Sequence, residues 1–246
     1  MDGKEFRVKT FKGDFYYFLN KIKNNENFSL SRWGDGELKI LEGEYINLTN
    51  IKNGEFMYDP NNDKYKLIRK KIIESYLAKD DQYYIGIACR CCVGEDKHFY
   101  MKEKSKQNEN NLTWANIFVN SNYKLFMTDF LNEMKNRDIV MVVNNKADIS
   151  RLPFKIEKTY YVGVDAWLND YNILYKIKQD YKDKKDKIFL FAAGPLSNIL
   201  TYELWFNMNK NNTYIDIGST LDVQMGMRPT RNYLRGGNTL NKICVW

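Results

Sequence analysis

Short apolar runs alternating with segments of helical period set the rhythm of this chain. Residues 28–31 read as a short buried strand, followed by a Gly-Asp-Gly-Glu turn and a helix beginning near Asp35. The segment 64–77 places Leu67, Ile68, Ile72, Ile73 and Leu77 at the spacing of one helical face. Residues 83–88 read as a strand running into a cysteine-rich turn. The polar stretch 96–111 reads as a solvated loop or frayed helix, and 112–134 as one or two helices with an aromatic-rich buried face.

The second half repeats the alternation more clearly. The run Asp-Ile-Val-Met-Val-Val at 138–143 has the length and β-branched character of an interior parallel strand. Residues 159–164 form another such run, with a helix expected over 167–181. The strongest central strand is 187–192, entering a helix over 195–208, and 213–217 closes the series in Asp-Ile-Gly. Strand–helix alternation of this kind predicts an α/β layered fold with a mostly parallel central sheet flanked by helices. No proline- or serine-rich linker and no repeat interrupts it, so residues 1–246 are expected to form one domain.

Composition narrows the class only modestly. The N-terminus opens with charged residues, and no apolar run approaches the length that crosses a bilayer, which predicts a soluble, cytoplasmic protein. Thirty-eight basic against 31 acidic residues give a net charge of +7. That excess suits anionic partners in general, whether nucleotides, nucleic acid or an anionic membrane surface. The single histidine, His98, excludes a site built from several histidine ligands. Four cysteines, three of them at 89, 91 and 92, do not resemble a disulfide framework in a chain of this length. Their spacing is not the usual zinc pairing either, so they read as reduced, small apolar packing residues at a strand end.

Ligands of open α/β sheets bind beyond the carboxyl ends of the strands, and three turns here fall at such ends. In Ser31-Arg32-Trp33-Gly34-Asp35-Gly36-Glu37, two carboxylates two residues apart can share one divalent cation, which needs only one or two protein carboxylates. They can equally serve as an N-cap and a first-turn acid compensating the helix dipole. Arg32 can grip phosphate oxygens or pair with a nearby acid. At Ala193-Gly194-Pro195-Leu196-Ser197, a glycine turn opens a helix whose first amides suit a phosphate, with Ser197 as a further donor; a simple tight turn is the alternative. In Asp216-Ile217-Gly218-Ser219-Thr220-Leu221-Asp222, two acids flank hydroxyls, as fits a general base or a capped turn. Arg228, Arg231 and Arg235 follow at spacings of three and four, and Trp33 and Trp167 near strand ends are candidates for stacking on a base or sugar. Neither a Walker loop nor a Gly-x-Gly-x-x-Gly fingerprint is present.

Taken in order, the strand into Arg-aromatic-Gly-Asp-Gly-Glu, the late Gly-Pro turn and the strand ending Asp-Ile-Gly resemble the GT-D-fold glycosyltransferases, over roughly residues 28–235. The resemblance implies a Rossmann-like α/β enzyme that moves a sugar from a nucleotide-diphosphate donor, UDP-linked in the first instance, to a hydroxyl of a glycan or glycoconjugate. It implies that Asp35 and Glu37 hold Mn²⁺ or Mg²⁺. The donor would be bound by Arg32, Trp33, Gly34, Gly194, Pro195, Ser197 and Arg231, and the acceptor would be activated by Asp216 or Asp222. The chain departs from the family's usual Asp-Ile-Gly-His by carrying Ser219-Thr220-Leu221 after Gly218. Two other classes fit parts of the pattern. One is a nucleic-acid-binding protein, disfavoured by dispersed basic residues and no recognisable module. The other is a metal-dependent phosphoester hydrolase using the same acidic turn.

Overall fold

A computed structural model describes residues 9–50, 55–229, 231 and 241–246. Among the described residues, nine strands run in chain order: β1 Ser29–Trp33, β2 Ile46–Asn47, β3 Met57–Tyr58, β4 Tyr83–Ile87, β5 Leu112–Trp114, β6 Ile139–Asn144, β7 Ile156–Val162, β8 Ile188–Ala192 and β9 Thr213–Asp216. Interleaved with them are the helices α1 Phe11–Lys23, α2 Asp35–Glu42, α3 Asp63–Leu77, α4 Arg90–Val93, α5 Glu95–Ser105, α6 Tyr123–Leu125, α7 Leu131–Met134, α8 Ala166–Asn169, α9 Ile173–Tyr181 and α10 Pro195–Asn207.

Seven strands form one sheet in the order β5-β4-β1-β9-β8-β6-β7, every pairing parallel. Both faces are covered, and the strand sequences show it. In β6, Val140 and Val142 join one apolar cluster while Ile139, Met141 and Val143 join the other. In β8, Phe189 and Phe191 part from Ile188 and Leu190 in the same way. Alternate side chains of a strand point to opposite faces, so a sheet buried on both sides demands apolar residues throughout. Helices α2, α3, α8, α9 and α10 supply the first cluster, among them Ile72, Trp167, Ile177 and Leu200. On the other face lie α1 and the 112–134 region, with Phe15, Phe18, Phe118, Phe126 and Phe130.

Most expected elements stand within a residue or two of the periodicity; the differences have local causes. Residues 112–134 are not wholly helical: Leu112–Trp114 is a strand, three residues paired with Ile85–Ile87, too short to carry a period of its own. The polar stretch 96–111 largely falls within α5, whose buried residues are His98, Met101 and Ser105. The helix expected over 167–181 breaks at Asp170, whose carboxylate accepts the Gly163 amide at 2.8 Å. β7 begins earlier than its apolar run because, as an edge strand, it leaves Glu157 and Lys158 exposed. Helix α1, set by Thr10 accepting from the Gly13 amide at 3.0 Å, and the antiparallel ribbon β2–β3 are further elements. Among the described residues no helix is long and apolar enough to cross a membrane.

Strand order reverses between β1 and β9. From β1 the chain moves outward to β4 and β5, then crosses to β6 and β7 and returns through β8 to β9 beside β1. The crevice beyond these two strands' carboxyl ends is where such sheets bind ligands.

Candidate active site

A cavity of about 380 Å³ opens there. All seven strands of the sheet contribute residues at or just past their carboxyl ends: Arg32 of β1 and Asp35 after it, Ala88 after β4, Asn116 after β5, Asn144 of β6, Gly163 after β7, Gly194 after β8 and Asp216 of β9. Its volume lies within the range of small-molecule sites.

The acidic corner is built around the start of α2. Gly34 is the N-cap, and its amide donates to Glu37 Oε2 at 3.0 Å. The cap is therefore Gly34 rather than Asp35, which stands exposed at the first helical position. Removal from water pushes the Glu37 carboxyl up to about 7, a hydrogen bond from its own backbone opposing the shift and the nearby charges of Asp216 and Asp35 adding to it. Asp216, buried in the floor of the cavity, is also raised by desolvation, against the pull of Arg32. Burial is thus the main cause of both shifts.

Arg32 is committed to the protein. Its guanidinium donates to the Ala115 carbonyl at 2.9 Å, lies 3.5 Å from Asp216 Oδ1 and sits over the Phe118 ring. Asp216 further accepts the amides of Gly218 at 2.8 Å and Arg32 at 3.3 Å. Of the two sequence readings of Arg32, pairing with an acid is the one found, although the residue still lines the cavity. Gly218 makes this pairing possible: its φ is +50°, and a methyl group there would collide with the guanidinium. Gly218→Ala is expected to cost about 2 kcal/mol or more through left-handed strain and displacement of Arg32. In a thermal melt that is a fall of roughly 4–8 °C.

The turn after β8 faces the acidic corner across the cavity. Gly194 has φ +55°, opening α10, whose N-terminus carries the positive end of the helix dipole. Pro195 and Ser197 are buried and do not line the cavity. Ser197 Oγ is instead taken by the Ala193 amide at 3.1 Å, which closes the turn. The Phe56 ring lies across both turns: a methyl at Gly36 would come within 2.8 Å of it, and one at Gly194 within 3.3 Å.

Phe56 and Glu55, which the sequence reading did not single out, are held in place from the turn after β7. Asp165, buried and with φ +55°, accepts from the Met57 amide at 3.1 Å, the Trp167 indole at 2.8 Å and the Tyr65 hydroxyl. Its own amide donates to the Glu55 carbonyl at 2.8 Å. Glu55 lines the cavity with its carboxyl raised by desolvation, Arg231 opposing the shift and Asp35 adding to it.

Asp222 and Arg231 both line the cavity, Asp222 buried and Arg231 exposed. Arg235 lies outside the described residues. Two tryptophans depart from the expected role. Trp33 is fully buried against Tyr76, ring centroids 4.6 Å apart, on the sheet face opposite Arg32's partner Phe118. Trp167 is fully buried beside Tyr58 and Tyr65. Neither lines the cavity. His98 is buried too, its Nδ1 donating to the Ala88 carbonyl at 2.9 Å, and it does not line the cavity.

Fold and crevice together define an α/β architecture with carboxylates and a helix N-terminus converging at the strand-order switch. Solved structures share it. The chain matches a structure described as a highly conserved domain of unknown function 1792 with a distinct glycosyltransferase fold, at a TM-score of 0.58 and 15% identity, covering 87% of this chain and 81% of that one. It matches a new glycosyltransferase of the same domain family from Streptococcus sanguinis at a TM-score of 0.57 and 16% identity, covering 87% and 84%. No protein-family model and no curated protein matches the sequence. The chain has the GT-D-type glycosyltransferase fold.

Proposed function

We infer that this protein is a metal-dependent glycosyltransferase that transfers a sugar from a nucleoside-diphosphate sugar, UDP-linked in the first instance, to a hydroxyl of a glycan or glycoconjugate. The observation that carries this reading is the convergence of Asp35, Glu37 and the α10 N-terminus on one cavity of a glycosyltransferase fold. The donor set fits a hard divalent cation. Asp35, Glu37 and Asp216 bring carboxylate oxygens to one corner of the cavity, the hard ligands that such a cation takes. Asp35 and Glu37 are the residues to hold Mn²⁺ or Mg²⁺. Bound there, the ion supplies neutralisation of the diphosphate as it leaves the sugar.

The chain's own groups do the rest. The Gly194 turn presents the α10 dipole to a phosphate, and Arg231 adds a positive charge on the same cavity. Asp216 is a positioning residue: it fixes Arg32 and the Gly218 amide. That leaves Asp222, the other carboxylate of the pair named from sequence, to orient or deprotonate the acceptor hydroxyl.

The experiment is a thermal-shift series with nucleoside diphosphates and their sugars, with and without Mn²⁺. A bound donor at a hundred times its dissociation constant stabilises by about 2.7 kcal/mol, a rise of roughly 5–11 °C. Stabilisation that needs both nucleotide and cation supports the reading. Release of free phosphate without an acceptor indicates the hydrolase, and salt-sensitive oligonucleotide binding without nucleotide binding indicates the nucleic-acid binder.

A further inference from the structure

The four cysteines, spread from the turn after β4 to the C-terminal segment, meet at one point. Cys89 Sγ lies 3.1 Å from Cys91 Sγ and 3.3 Å from Cys92 Sγ, and with Cys244 all four sulfurs fall within 4.8 Å of one another. The turn is closed by the Cys92 and Val93 amides donating to the Cys89 carbonyl. Cys244 reaches it because the Ser121 amide donates to the Lys242 carbonyl and the Lys242 ammonium to the Cys91 carbonyl, both at 3.1 Å.

The surroundings are those of thiolates. The Asn116 side-chain amide points at Cys92 Sγ at 3.2 Å, that of Asn120 at Cys244 Sγ at 3.1 Å, and the Lys242 ammonium lies 3.8 Å from Cys92 Sγ. N–H donors and a positive charge directed at sulfur stabilise the deprotonated form that ligates metals.

We propose that Cys89, Cys91, Cys92 and Cys244 form a four-thiolate zinc site. A tetrahedral ion with Zn–S bonds of about 2.3 Å sets its sulfurs about 3.8 Å apart, a spacing that the separations here bracket. Two disulfides would divide the sulfurs into pairs, whereas Cys89 is flanked by both Cys91 and Cys92. A multi-iron cluster would hold the thiolates further apart around its core. Soft thiolate ligands do not suit the magnesium or manganese of the acidic corner. The buried pair, Cys89 and Cys244, lies on the inner side, and the exposed pair, Cys91 and Cys92, leaves an entry path. With four protein ligands the site is closed and structural. It ties the C-terminal segment to the β4 turn and fixes Asn116, Asn120 and Lys242, which also line the cavity. Cys244 supplies the ligand that the spacing of the first three could not reveal.

The test uses the full chain, purified under reducing conditions without chelator, with metal content measured by mass spectrometry. After acid removal of metal, Co²⁺ is added and its absorption recorded. One zinc per chain, and the charge-transfer and d–d bands of tetrahedral thiolate cobalt in the refolded wild type, are expected. Cys244→Ser is expected to weaken zinc binding by more than about tenfold. The cobalt spectrum of the wild type keeps the proposal testable if that variant fails to fold. Zinc should persist in Asp35→Asn/Glu37→Gln, which separates this site from the donor site. Four freely titrating thiols with neither zinc nor cobalt bands would overturn the proposal. Disulfides in protein kept from air, or iron with acid-labile sulfide, would overturn it as well.

Discussion

Replacing Asp165 with alanine is expected to lower the melting temperature by roughly 6–20 °C, the counterpart of about 3–5 kcal/mol in a chain of this size. The side chain accepts three hydrogen bonds in a buried setting, from Met57, Trp167 and Tyr65. Alanine leaves the amide and hydroxyl without an acceptor, although the Trp167 indole keeps the Met57 carbonyl at 3.2 Å. It must also adopt the left-handed backbone at φ +55°, which aspartate and asparagine tolerate better. Asp165→Asn keeps an acceptor and that tolerance, so its loss should be less than half as large. Thermal melts of the two variants check the ordering; equal losses would rule out the hydrogen-bond account. Because the Asp165 carboxylate anchors Met57 beside Phe56, the alanine variant should also bind donor more weakly at temperatures where it remains folded.

The double variant Asp35→Asn/Glu37→Gln behaves in the opposite sense. Glutamine still offers an oxygen to the Gly34 amide, so the α2 cap survives. Removing two carboxylates from a corner where Glu37 is raised to about 7 leaves the melting temperature unchanged or higher. Sugar transfer, by contrast, should fall at least about a hundredfold, the equivalent of roughly 2.7 kcal/mol of barrier. A transfer assay and a melt on the same sample check both halves. Undiminished transfer, or full Mn²⁺-dependent stabilisation by nucleotide, would place the cation elsewhere. Chelation alone is a poorer test, because a chelator also competes for a thiolate-bound zinc.

What was legible from the residues follows from where information is local. The strands β4, β6 and β8 announce themselves as apolar runs because a parallel sheet buried on both faces favours apolar side chains in nearly every position, whereas β1 and β9 mix theirs with buried Ser29, Ser31, Thr213 and Asp216. The ends of β1, β8 and β9 are punctuated by Gly34, Gly194 and Gly218, which mark the three turns of the crevice in the sequence itself. The partners that position those turns are a different matter. Phe56 and Glu55 arrive on the segment beside a two-residue ribbon strand and are held by Asp165, more than a hundred residues along the chain, and no local pattern encodes that contact. Trp33 illustrates the same gap. Neighbours on a strand face opposite ways, so Arg32 and Trp33, adjacent in the motif, part company toward Phe118 and Tyr76. The cysteines read as packing residues because three of them share one turn and the fourth arrives from the C-terminal segment.

The adjacency of β1 and β9 has a kinetic side. Arg32 and Asp216 stand 184 residues apart in sequence, and the first strand of the sheet completes its pairing only with the last. Closing so long a loop adds little to the equilibrium cost, since each doubling of loop length costs only about 0.6 kcal/mol. It does slow assembly, because non-local parallel pairing comes late. Until β9 inserts, β1 and β8 each present an open row of unpaired amides and carbonyls, and Ile188–Ala192 is an uncharged strand of high β-propensity. A chain emerging from the ribosome therefore carries its acidic turn long before the Asp216 that faces it. Its most aggregation-exposed stage is the one that ends when the crevice closes.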